Sequence, residues 1–293
     1  MTKAPSLSLD DLPEIPDIPE PVRRVARAVW REGEVAQGER AVPEETPVAL
    51  TYNGTTHAVM MASPIDIEAF ALGFSLTEGI IRSAADILSL DVIAVEDGIE
   101  ARMWIAEERM SLLGARRRYL AGPTGCGLCG VESLAEAVKP AAQVAGDLTI
   151  EASALLEAMA ALGPAQTLNH ETRAVHAAGF YQPGAGLLAV AEDVGRHNAL
   201  DKLVGKVARL PGANPASGVL LLTSRVSIEM VQKAAVLGVP VIAAVSAPTS
   251  LAIRTAERAG ITLAAIVRSD GFELFTHPRR ISLGTNQRQA HVA

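Results

Sequence analysis

Hydrophobic and polar positions along the chain fall into two regimes. In the first, Pro47–Tyr52 and Thr55–Met61 are short apolar-rich runs joined by Asn53-Gly54, a dipeptide suited to the two positive-φ positions of a tight hairpin. Ser63-Pro64 then predicts a helix over about 67–78, with Ser63 as its cap and Pro64 at its first position. Val92–Val95 and Ala101–Ile105 read as a second strand pair. From Val175 the pattern becomes regular. Strands at His176–Tyr181 and Leu187–Ala191 precede a helix from about Asn198 to Val207. A strand at Gly218–Leu222, a helix at Ile228–Leu237, a strand at Val239–Val245 and a helix at Ser250–Ala259 follow. Strands at Thr262–Val267 and Phe272–Thr276 close the series. Val219–Leu222 and Val241–Val245 are apolar throughout, as parallel strands buried on both faces must be.

This pattern predicts an α/β protein (α+β overall), with a small N-terminal α+β domain and a C-terminal three-layer α/β/α domain around one sheet. Residues 1–40 read as a Pro-rich acidic tail and lead-in, and the charged stretch Val22–Glu45 shows no regular period. Residues 41–119 form the small domain. Residues 120–147 hold a glycine-rich loop and a helix carrying Leu134, Ala137 and Val138. Residues 148–293 make the α/β domain, led by a helix at Leu155–Leu162.

Composition narrows the function. A chain of 293 residues favours two domains, and 49% hydrophobic with 20% charged residues supplies a core and excludes general disorder. Only 3% of residues are aromatic, which argues against a stacking platform for single-stranded nucleic acid. A net charge of −7 argues against a duplex-DNA binder. The N-terminus lacks the apolar core of a signal peptide. The longest uncharged run, Ala234–Ile253, is interrupted by Pro240 and Pro248, so no membrane association is expected. The expectation is a soluble cytoplasmic protein.

Candidate chemistry sits in two places. Ligands of open α/β sheets bind beyond the carboxyl ends of strands, where helix N-termini offer free N–H groups. The corners there read Glu192-Asp-Val-Gly-Arg-His-Asn198, Thr223-Ser-Arg-Val-Ser227 and Ser246-Ala-Pro-Thr-Ser250, followed by the turn Arg268-Ser-Asp-Gly271. Hydroxyls with Arg196, Arg225 and Arg268 suit a phosphate-bearing ligand, although Ser, Thr and Asn are also ordinary helix caps. The second place is Cys126-Gly-Leu-Cys129, which holds the chain's two cysteines. With no further cysteine, a four-ligand zinc site lacks partners, and no His-x-Glu exists for a zinc deaminase. A thioredoxin-like redox pair and a mobile loop carrying a persulfide both remain open, since Gly125, Gly127 and Gly130 give freedom of movement.

The ordered segments Leu72–Ile81, Cys126–Gly130, Glu192–Lys202, Ser224–Lys233 and Ser246–Ile253 resemble those of the formate dehydrogenase accessory sulfurtransferase (sulfur-carrier) family, FdhD. The likeness runs from Glu44 to Ile281. It implies a cytoplasmic homodimer that takes sulfur from a cysteine desulfurase as a cysteine persulfide. The sulfur goes to a molybdenum (or tungsten) bis-molybdopterin guanine dinucleotide cofactor, held as cargo, on its way to formate dehydrogenase. It also implies a C-terminal half shaped like cytidine deaminase, without zinc. Residue by residue, Cys126 matches the persulfide cysteine and Cys129 its partner. Ile266, Val267, Arg268, Ser269, Asp270 and Gly271 match the cofactor-binding turn. Arg196, His197, Asn198, Ser224, Arg225, Ser246 and Thr249 complete the expected site. His197, with an ordinary pKa of about 6.5, is the candidate for moving a proton. Three departures stand out. Thr172-Arg-Ala-Val-His176 lacks the family's double glycine, Thr223-Ser-Arg225 replaces Ser-Gly-Arg, and Ile266 replaces an aromatic residue. The competing expectation is a non-catalytic cofactor chaperone with a redox-sensing cysteine pair.

Overall fold

The computed structural model describes residues 17–117 and 140–284. Its first element is a hairpin that the hydrophobic pattern misses: β1 (Val22–Arg31) and β2 (Glu34–Pro43) pair antiparallel along all ten positions. Glu32 and Gly33 close it with φ of 51° and 90°, the double positive φ of a hairpin turn. The lead-in is therefore regular structure from Val22. The pattern conceals it because both faces of the ribbon meet solvent, so no apolar alternation is required.

β3 (Thr46–Tyr52) and β4 (Thr55–Ala62) form the expected second hairpin, with Asn53 and Gly54 at φ of 45° and 78°. Asn53 also bonds across the sheet, donating from Nδ2 to Ile105 O (3.1 Å) and accepting from Ile105 N (2.8 Å). With β5 (Ile87–Val95) and β6 (Gly98–Ile105) these strands make a four-stranded sheet of order β4-β3-β6-β5. Val48, Leu50, Ile99 and Met103 turn one face onto α1 (Ile67–Thr77), while α2 (Glu107–Arg117) adds Leu113 to the same core.

The larger half begins with β7 (Ile150–Glu151), α3 (Ala152–Leu162) and α4 (Thr167–Thr172). β8 (His176–Gln182), β9 (Gly186–Asp193) and α5 (Arg196–Ala208) follow. Next come β10 (Val219–Leu222), α6 (Ile228–Leu237), β11 (Val241–Ala244) and α7 (Ser250–Ala259). β12 (Thr262–Arg268), β13 (Gly271–Thr276) and β14 (Ile281–Ser282) complete the chain, β14 lying parallel to β7. Six strands form one sheet of order β13-β12-β11-β10-β8-β9, in which β10, β11 and β12 are parallel. Leu220, Leu222, Ile242 and Ala244 face α5, α6 and α7, whereas Val219, Leu221, Val241 and Ala243 face α3. Burial on both faces is why these strands are continuously apolar.

The halves are joined through α1. A Cβ on Gly73 would lie 1.7 Å from Asp201 O, and one on Gly205 would lie 1.9 Å from Ala69 O. Glycine at both positions lets the backbones of α1 and α5 touch. Around the contact, Lys233 Nζ bonds both carboxylate oxygens of Asp201 (2.8 and 3.0 Å) and Thr77 Oγ1 (2.9 Å). Ser63 is not the cap of α1, as the sequence had suggested. Asp66, at φ 55°, occupies that position, and Ser63 N instead donates to Asp193 Oδ2 (3.0 Å) in the other half. Among the described residues, no helix is long and apolar enough to cross a membrane.

Candidate ligand-binding edge

β9 and β10 each run antiparallel to β8, and β10, β11 and β12 run parallel, so the carboxyl ends of β9 to β12 lie along one sheet edge. All four predicted corners therefore converge. They are also tied together. Val226 N donates to Ala247 O and Thr249 N to Val226 O (2.9 Å), linking the second and third corners. Arg268 Nη1 donates to Val245 O (2.5 Å), linking the third to the last turn. Helices α5, α6 and α7 all begin at this edge.

The first corner is locked from below. Lys202 Nζ, fully buried, lies 2.6 Å from Asp193 Oδ2 and donates to Ser63 O (2.8 Å). Asn198 Nδ2 donates to Asp193 Oδ1 (3.0 Å) and Met61 O (2.8 Å). The Nδ2 of Asn198 is thus used as a tie between the halves. Glu192, also buried, accepts from Leu168 N (2.9 Å) and Asn169 N (2.8 Å) and so caps α4. α4 ends on Arg173, held at φ 57°.

Four side chains at the starts of α5 and α6 have a polar atom without a partner: Arg196, His197, Ser227 and Glu229. Arg196 Nε, His197 Nε2, Ser227 Oγ and Glu229 Oε2 are all inaccessible to solvent and without a hydrogen-bond partner among the described residues. His197 Nε2 stands 4.0 Å from Glu229 Oε2. Burial, then Arg196 and Lys233, push the His197 pKa down to about 4. This leaves the imidazole neutral near pH 7, the form expected of a structural or ligand contact without proton transfer. His176, at the start of β8, is pushed down as well, first by burial and then by Arg196. Sequence reasoning named Ser227 only as part of the second corner and passed over Glu229. Their position in the first turn of α6, beside the Arg225 corner, was the available signal.

The other expected residues divide. Arg225 is exposed, while Ser224 is buried and its hydroxyl donates to Arg225 O (3.0 Å). Thr249 caps α7, accepting from Ala252 N (3.2 Å), and Ser246 is half-buried. Ile266 sits at φ 55° within a bulge of the β12–β13 pair. Val267 points into the core below the sheet, so only its backbone faces the turn. Arg268, Ser269 and Asp270 are exposed, and Gly271 is half-buried. Cys126, Cys129 and the helix expected around Leu134 lie outside the described residues.

A family profile described as the FdhD/NarQ family matches residues 43–282. The chain belongs to that family. Two of its relatives, both called sulfur carrier protein FdhD, come from Agrobacterium fabrum and Brucella abortus. The first is 55% identical over 262 residues, spanning 89% of this chain and 96% of the relative. The second is 52% identical over 246 residues, spanning 84% and 91%. A crystal structure from Desulfotalea psychrophila, assigned as a formate dehydrogenase accessory protein, superposes with a TM-score of 0.69 at 25% identity. It covers 90% of this chain and all of its own. The FdhD-like segments around Thr77, Lys202 and Lys233 prove to be the ties between the halves. Those around Arg196, Arg225 and Arg268 build the edge.

Proposed function

We propose that this chain is a sulfur carrier that serves formate dehydrogenase. Its FdhD/NarQ membership and the name its relatives carry support the general role. The observation that bears most on the cargo is the gathering of Arg196, Arg225 and Arg268 with three helix starts on one edge. Guanidinium groups and free N–H groups are what a dinucleotide's phosphates require. In this reading the thiolate of Cys126 attacks the outer sulfur of a cysteine desulfurase persulfide. The S–S bond breaks, the desulfurase cysteine leaves as a thiolate, and Cys126 holds the sulfane sulfur. To deliver it, the Cys129 thiolate attacks Cys126 Sγ, and a Cys126–Cys129 disulfide forms as the persulfide S–S bond breaks. The outer sulfur leaves at the sulfide level for the molybdenum bis-molybdopterin guanine dinucleotide cofactor bound at the edge, and a cellular dithiol then reduces the pair again.

The larger half takes a cytidine deaminase arrangement used without zinc, and the protein works as a homodimer in the cytoplasm. Neutral His197 contributes as a fixed polar wall, not as an acid. The test is intact-mass measurement of the full chain after incubation with a desulfurase and cysteine. A gain of about 32 Da, lost in Cys126→Ser and retained in Cys129→Ser, is expected for a persulfide. Absence of the added mass in the native chain, or its persistence in Cys126→Ser, overturns the assignment.

A further inference from the structure

Three cations on the ligand edge have no counter-charge. Arg196, Arg225 and Arg268 make no ion pair among the described residues. Arg268 Nη1 donates to Val245 O (2.5 Å) and Val267 O (2.8 Å), both neutral carbonyls. The nearby carboxylates have other neighbours: Glu192 caps α4, Asp193 holds Lys202, and Glu229 stands beside His197. Asp270 shares the exposed turn with Arg268 and does not pair with it. Uncompensated positive charge gathered on one rim of a chain whose net charge is −7 draws an anion.

Acid is concentrated in the stretch ahead of β1, where Asp10, Asp11, Glu14, Asp17 and Glu20 face a single cation, Lys3. That stretch joins the fold beside the edge. Pro21 O accepts from Glu44 N (2.9 Å), and Thr46 pairs with Ala62. The next residue, Ser63, bonds Asp193 (3.0 Å) and Val194 N (3.1 Å) in the first corner. Arg40 Nη2, at the base of the β1–β2 arm, donates to Thr172 O (3.2 Å), just ahead of β8. From Pro21 the chain can carry Glu14 up to roughly 23 Å and Asp10 up to roughly 36 Å. The corners after β9 and β12 are four strand steps apart in the sheet, about 19 Å, so the whole edge is within range. The arm is a poorer target, because its arginines have acids of their own: Arg23 pairs with Glu44, and Arg31 stands across from Glu34.

We propose that residues 1–16 occupy the arginine edge of their own chain through Asp10, Asp11 and Glu14, so that an anionic ligand must displace them to bind. The carboxylates take the guanidinium positions that phosphate oxygens would take. Tethering holds them at an effective concentration in the millimolar range, enough for a weak internal competitor to be felt. The edge is then selective for a ligand that carries several phosphates and outbids three carboxylates, and isolated small anions are kept off. This regulation rests on the anionic-ligand reading of the edge given above.

Calorimetric titration of the full chain with GDP tests this, comparing the native sequence with the triple change Asp10→Asn, Asp11→Asn, Glu14→Gln. The triple variant should bind GDP at least about fivefold more tightly at low salt, and the gap should narrow as salt rises. A synthetic peptide of residues 1–16, added at millimolar concentration, should return the variant's affinity towards the native value. Hydrogen exchange of the ligand-free chain reads occupancy directly: amides of residues 225–229 and 268–271 should exchange more slowly in the native chain than in the variant. A charge-matched control, Glu107→Gln, Glu108→Gln, Glu157→Gln, neutralises three exposed acids on α2 and α3 and should leave GDP affinity unchanged. Equal GDP affinity or equal exchange in native chain and triple variant overturns the internal competitor while leaving the edge as an anion site. An equal gain from the control overturns it as well, since net charge alone would then account for the effect. GDP binding indifferent to Arg225→Glu overturns the reading of the edge itself, and the competitor with it.

Discussion

His197 makes the protein's stability depend on pH in a way that can be worked out in advance. Folding lowers its pKa from 6.5 to about 4, because burial and then Arg196 and Lys233 disfavour the imidazolium. Between those values the unfolded chain binds a proton that the folded chain refuses, so stability rises with pH there. The contribution is complete above pH 6.5 and is lost as pH falls towards 4. With one pKa unit worth about 1.4 kcal/mol, moving from about pH 7.5 to about pH 4.5 should remove about 2.5 kcal/mol through this residue. The perturbation that isolates it is His197→Leu, which cannot titrate. Urea unfolding of both proteins across that range gives two stability curves, and their difference cancels the other titrating groups, including His176. The difference should fall by about 2 to 3 kcal/mol on acidification and be flat above about pH 7. A difference constant from about pH 7.5 to about pH 4.5 would show that His197 titrates alike folded and unfolded, and would refute its neutral, walled-in placement.

Three further outcomes follow from the fold. Gly73→Ala puts a methyl group 1.7 Å from Asp201 O, so α1 and α5 must separate. A loss of about 3 kcal/mol or more in unfolding free energy is expected, since backbone cannot yield as a side chain does. Lys202→Met leaves the buried Asp193 carboxylate without its cation and should cost about 3 to 5 kcal/mol, whereas Lys202→Met combined with Asp193→Asn should cost less than the single change. Arg173→Gly relieves a left-handed backbone at φ 57° and should raise stability by up to about 1 kcal/mol, read as a higher denaturation midpoint.

Strands buried on both faces and helices packed on one side announce themselves in sequence, and β10, β11 and α5 to α7 fall where the pattern places them. The arm fails that reading for the converse reason: Arg24, Arg27 and Trp30 all meet water, so nothing forces a period of two. Ser63 misleads because Ser-Pro ahead of an apolar run is an ordinary helix entrance. Its actual partner, Asp193, is 130 positions away, and no local signal reports it. Gly73 and Gly205 are similarly silent. Each looks like a weak helix residue until the other helix is in place.

The same long-range ties explain why the edge was only half legible. Arg196, Arg225 and Arg268 follow strand ends, and the sheet sets all three along one edge, where the general rule for α/β sheets looks for ligands. Asn198 is two residues from Arg196 and reads as equally available, yet α5 turns its amide inward to Asp193 and Met61. That inward tie fixes the first turn of α5 against the small half, and with it the direction of Arg196 and His197. Lys233 has the same part under α6, holding Asp201 and Thr77 beneath the turn that bears Glu229. The unpaired atoms of Arg196, His197, Ser227 and Glu229 therefore stand on a base made rigid by both halves. Under the function proposed above, an edge held rigid in this way would meet its cargo with little further loss of conformational entropy. If the edge holds the proposed guanine dinucleotide cargo, loosening the base by Lys202→Met or Gly73→Ala should weaken GDP binding measured by calorimetry, even though neither residue reaches the edge, and unchanged affinity would count against that coupling.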